Sequence, residues 1–111
     1  MKTRTEIAPG ICNFDAIVTA ETEDSQNVRF GFETECQTIK EFADQLSQIS
    51  PVDAIATLGP EENPVLAIGR KLLQTKGCCD ACIVPAATAK IMQVAAGLAL
   101  PKDVSLTIAR E

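Results

Sequence analysis

Histidine, tryptophan and tyrosine are all missing from this sequence. Without histidine there is no ordinary general base, no Ser/His/Asp set and no imidazole ligand for a metal. Without Trp and Tyr, the stacking platforms that many single-strand nucleic-acid binders use are excluded. No apolar run reaches the length of about 18 residues that a membrane helix needs. The first residues, Met1 to Pro9, are polar and charged and lack the apolar stretch of a secretion signal. These absences lead us to expect a cytoplasmic protein without a membrane span. Basic clusters are lacking too. The net charge is −5, with Lys40, Arg70, Lys71, Lys76, Lys90 and Lys102 scattered among acids. A nucleic-acid partner is therefore not expected, since that needs a basic face.

Apolar residues make up 46% of the 111, enough for a core without external staples. The length suits one domain, 1–111, opening with an irregular lead-in over 1–10 that closes on Pro9-Gly10. The run from Cys12 to Ala20 is rich in β-formers, with Phe14, Ala16 and Val18 on one face. Val28, Phe30 and Phe32 alternate with Arg29, Gly31 and Glu33 as a half-buried strand. The two strands read as a hairpin around the polar stretch Glu21 to Asn27.

Ile39, Phe42, Ala43, Leu46 and Ile49 recur at helical spacing, with Thr38 and Glu41 fitting a capping box. Ser50-Pro51 stops that helix. Val52 to Leu58 is either a helical turn or an extended connection. Asn63-Pro64 starts a second helix, with Val65, Ile68, Leu72 and Leu73 inward and Gly77 as its cap. Pro85 opens an alanine-rich third helix that ends at Gly97. Val104, Leu106 and Ile108 alternate with Ser105 and Thr107 as a last short strand. The expectation is an α+β fold in the order β-β-α-α-α-β. Its sheet is three-stranded and mostly antiparallel, with helices packed on one face.

The five cysteines, Cys12, Cys36, Cys78, Cys79 and Cys82, carry the chemistry. They are an odd number without a secretion signal, so metal binding or thiol chemistry is favoured over a disulfide framework. All lie at the ends of elements. A hairpin brings Cys12 and Cys36 to one edge of the sheet. If the third helix packs with its start at that edge, Cys79 or Cys82 completes a cluster. Helix N-termini lower a thiol's pKa, and Cys36 and Cys82 both precede helices. Three thiolates with a fourth sulfur or an oxygen hold zinc or a small iron–sulfur cluster. The candidate ligands are Cys12, Cys36, Cys82 and Cys79, with Asp15 or Asp80 as an oxygen donor. Free cysteine also serves as a small buried hydrophobe. Two alternatives stand beside the metal reading. One is a cofactor-free interaction module, with protein partners or a second copy, in which the cysteines only pack. The other is a thiol redox protein that uses Cys79 and Cys82. Glu21, Glu33, Glu35, Glu41 and Asp44 read as a solvated acidic surface. An enzyme is the less favoured class.

The arrangement of Cys12, Cys36 and Cys82 resembles that of the U-type iron–sulfur cluster assembly scaffolds. In that family one cysteine lies near an early strand, one leads from the hairpin into a helix, and one opens a late helix. The segments VRFGFETECQTIKEFADQL and CCDACIVPAATAKIMQVAAGLA carry the likeness, which covers roughly residues 12–98. The resemblance implies a protein that binds or carries a cluster. Phe14 stands where those scaffolds have an aspartate, with Asp15 one further on, and Ala81 stands at their histidine. The whole chain is also similar to a small uncharacterised family associated with anaerobic microbes. That likeness rests on Cys82 to Pro85 and Gly97 to Pro101, and it implies no function.

Overall fold

The computed structural model describes all of residues 1–111. Its first element is a strand, β1, Lys2–Ile7. There Thr3, Thr5 and Ile7 turn inward and Lys2, Arg4 and Glu6 turn to solvent. The supposed lead-in is thus a strand whose inward face is mostly threonine. A short loop leads to β2, Ala16–Glu21, in which Ala16, Val18 and Ala20 are buried. A tight turn leads on to β3, Asn27–Thr34. All three pair antiparallel, with Lys2 opposite Glu21 and Glu21 opposite Arg29 at one end. The opposite charges in those two pairs favour this register.

Asp24 ties the β2–β3 turn. Its carboxylate accepts hydrogen bonds from the Thr22 hydroxyl, the backbone N–H groups of Gln26 and Asn27, and the Asn27 side-chain amide. Those donors, Asn27 foremost, hold its carboxyl well below the usual carboxylate range.

Helix α1, Gln37–Ile49, follows and buries Ile39, Phe42 and Leu46. It begins before the Thr38/Glu41 box and makes no side-chain cap; Cys36 is its N-cap. The Cys36 N–H donates instead to the Thr34 hydroxyl behind it. A two-residue strand, β4, Val52–Asp53, pairs antiparallel with Asn27 and Val28. The sheet is therefore four-stranded, in the order β1-β2-β3-β4. A 3-10 turn, Ala56–Leu58, connects to α2, Pro64–Leu73. As the sequence implies, the Asn63 side chain caps α2, accepting from the Val65 and Leu66 N–H groups. The cap at its other end is Gln74 rather than Gly77. Gly77, at φ +63, turns the chain into a second 3-10 turn, Gly77–Ala81.

Helix α3, Val84–Ala95, packs on β1 and β2, α1 packs on β3, and α2 lies between the two helices. Helices α1 and α3 cover the sheet, α2 packs on those two helices, and the buried side chains form one cluster. The chain order is β-β-β-α-β-α-α. No terminal strand forms over residues 104–108. The chain beyond Pro101 forms neither helix nor strand and is exposed. A strand's N–H and C=O groups need a neighbouring strand, and alternation alone does not supply one.

The helical stretch Gly77–Ala95 has the length and mean hydropathy of a membrane span. It is not one continuous helix, because Cys82 is extended between the 3-10 turn and α3. Its apolar residues Val84, Ile91, Met92 and Ala95 are core residues.

Candidate functional site

Three junctions carry the cysteines. The β1–β2 loop, residues 8–15, holds Cys12. Gly10 and Asn13 take left-handed φ values of +105 and +57 there, and the Asn13 N–H bonds to the Gly10 carbonyl. This turn delays the β-run, so β2 starts at Ala16 rather than Cys12, and Cys12 lies on the loop. Cys36 lies between β3 and α1. Cys78 and Cys79 lie in the second 3-10 turn, and Cys82 between that turn and α3. Every cysteine is a free thiol. Cys12, Cys78 and Cys79 are exposed, whereas Cys36 and Cys82 are half-buried and pack against the core.

The sheet and helices bring four of the five into one neighbourhood. Burial pushes the Cys82 thiol up from its ordinary value. A Val84 N–H at the start of α3 works the other way and is outweighed. The charges of Cys36, Cys12 and Cys79 each push Cys82 up further. The helix start therefore does not lower the Cys82 pKa as the sequence suggests. Removing half of a thiol from water costs its charged form more than one N–H restores.

Proximity is not coordination. No three Cys, Asp or Glu side chains come close enough to hold a metal ion. The influence of charge extends to about 8–10 Å in salt solution, while a zinc–sulfur bond spans about 2.3 Å. The four sulfurs share a region but do not form a closed ligand set. Asp15 is exposed, and its backbone carbonyl accepts from the Thr34 hydroxyl. Asp80 is exposed in the second 3-10 turn.

Apolar residues flank the thiols. Ile11 is fully exposed beside Cys12, and Phe14 and Ile83 are about half exposed. The period of two placed Phe14 on the inward strand face, but it lies in the loop and faces solvent. Its signal was the neighbouring Asn13, a residue that readily takes a left-handed turn and so interrupts a strand.

A two-layer α+β protein with thiols grouped at its loop junctions is the class these observations define. The chain matches the family of unknown function DUF6951 over residues 3–108, and it belongs to that family. No curated protein and no solved structure matches it.

Proposed function

We propose that this protein binds a metal ion or an iron–sulfur cluster among its grouped cysteines, holding or carrying it in the manner of a scaffold. The observation that carries this reading is that Cys36, Cys12 and Cys79 lie near enough to Cys82 for their thiolates, once formed, to oppose its ionisation. The four thiols come from three separate junctions, and core packing accounts only for Cys36 and Cys82, since Cys12, Cys78 and Cys79 are exposed. The donor chemistry suits a soft metal or a cluster, for which Cys12, Cys36, Cys79 and Cys82 would be the ligands and Asp15 a possible oxygen donor. When bound, zinc would supply a structural cross-link, and an iron–sulfur cluster an electron-accepting or transferable centre. The protein's part is to present thiols on exposed loops, within reach of a donor or an acceptor. The reading requires reduced thiols, and hence a reducing compartment such as the cytoplasm. The redox alternative, with Cys79 and Cys82, needs the same Cys82 thiolate, which burial disfavours until a metal or an attacking partner displaces its proton.

Anaerobic reconstitution with iron and sulfide tests this. The chain has no Trp or Tyr, so cluster absorption stands on an almost empty background. Visible colour is expected in the wild type. It should be lost in Cys36→Ala and Cys82→Ala, lost or weakened in Cys12→Ala, and least changed in Cys78→Ala. Absence of colour, together with no stoichiometric zinc by elemental analysis, defeats the proposal and leaves the interaction-module reading.

A further inference from the structure

The chain beyond α3 carries an unused strand. Val104, Leu106 and Ile108 are 71%, 72% and 85% exposed, and Leu100 is 87% exposed. No residue after Leu98 takes part in a hydrogen bond or an ion pair. The alternation of Val104, Leu106 and Ile108 with Ser105 and Thr107 is the pattern of a strand that buries one face. Left in water, such a segment keeps both its apolar side chains and its backbone groups unpartnered. The family match extends to residue 108, through all three apolar residues, so the segment belongs to the shared unit of the family.

The molecule also carries an unused edge. β1 closes one end of the sheet and pairs only with β2. Its outer backbone groups offer a row of donors and acceptors to another strand. β1 alternates in the same sense as the tail, with Thr3, Thr5 and Ile7 toward the helices and Lys2, Arg4 and Glu6 toward solvent. A strand added beside it with Val104, Leu106 and Ile108 on the helix side would extend the apolar layer next to α3. Its solvent side would then carry Asp103, Ser105 and Thr107, the acid on the face where β1 carries Lys2 and Arg4, and Lys102 and Arg110 would flank the apolar residues at the two ends of the helix side.

We infer that the segment 102–110 docks as a strand on the β1 edge of a second copy of this chain, reciprocally, to form a dimer. Exchange about a two-fold axis fills both open edges and leaves neither tail exposed. The occupant is a second copy because within one chain both partners go unused: the outer edge of β1 stays unpaired, and the tail makes no hydrogen bond while its apolar side chains remain mostly exposed. The inference does not depend on the thiols, none of which lies on the tail or on β1.

Sedimentation with interference optics, which does not need aromatic absorbance, tests it on the full chain, on a chain ending at Leu100, and on Leu106→Asp/Ile108→Asp. Because residues after Leu98 are exposed, form no helix or strand and make no hydrogen bond, the shortened chain should keep the same circular dichroism as the body of the full chain. The expected result is a dimer for the full chain and monomers for both variants. A synthetic peptide of residues 102–111 should then bind the shortened chain one to one, shifting the amide resonances of residues 2–7. A monomeric full chain overturns the inference, whether or not its tail amides are protected. So does a dimer that survives both variants, or a peptide that shifts resonances elsewhere or none.

Discussion

At the scale of single residues, Cys82 is where the environment acts most clearly on chemistry. Its pKa is raised, foremost by burial and further by its thiol neighbours. The folded chain therefore holds this proton more tightly than the unfolded chain does. The resulting stability is fully present below the ordinary thiol value of 9.0 and is lost as the pH rises through the higher folded value. We expect the urea midpoint of the wild type to fall more steeply than that of Cys82→Ser as the pH is raised above about 9. Parallel slopes for the two proteins would show that Cys82 is solvated like the exposed cysteines. Asp24 has the opposite sign. Its lowered pKa contributes stability above 3.8 that is lost as the pH falls below that value.

At the scale of elements, the contact between α2 and α3 depends on one missing methyl group. A Cβ at Gly69 would lie 2.6 Å from Pro85 Cβ and 2.8 Å from Pro85 Cγ. Pro85 is buried at the start of α3, and its ring cannot rotate aside. Alanine at position 69 would gain up to about 1 kcal/mol of helix propensity. The overpacking it causes costs about 1–3 kcal/mol, because the two helix backbones must separate. Gly69→Ala is expected to lower the stability by about 1–2 kcal/mol, read from urea unfolding. A midpoint at or above that of the wild type would mean that α2 slides freely over α3.

The same scale shows what the sequence made legible. α1, α2 and α3 were readable because each has an apolar stripe at helical spacing, and Asn63-Pro64 located the start of α2. β1 was not readable as a strand because its inward face is Thr3 and Thr5, with only Ile7 apolar, so hydrophobic alternation had little to register. β4 has two residues, too few for any period. Residues 104–108 carry the pattern of a strand but pair with nothing within the chain. Of the site, the positions of the cysteines at element ends were legible. The direction of the Cys82 shift was not, since it depends on how much of the thiol the core covers.

At the scale of the whole molecule, one face of the sheet carries nearly all of the apolar layer, and Phe42 lies at its middle. Phe42 is 1% exposed and meets Phe32 edge to face, with ring centroids 5.8 Å apart and planes at 85°. It also approaches Gly69, so the sheet, α1 and α2 converge on one ring. Truncating such a ring costs about 3–5 kcal/mol, and a domain of this size holds only about 5–15 kcal/mol in all. The half-buried thiols Cys36 and Cys82 pack against the same core, so global opening exposes them. Mass spectrometry after brief alkylation reads this directly. In the wild type Cys12, Cys78 and Cys79 should be modified quickly, and Cys36 and Cys82 slowly. In Phe42→Ala, Cys36 and Cys82 should become markedly faster while the exposed three change little, because only the former wait for the chain to open. Equal protection of Cys36 and Cys82 in both proteins would mean that the three junctions hold their shape without the core beneath them.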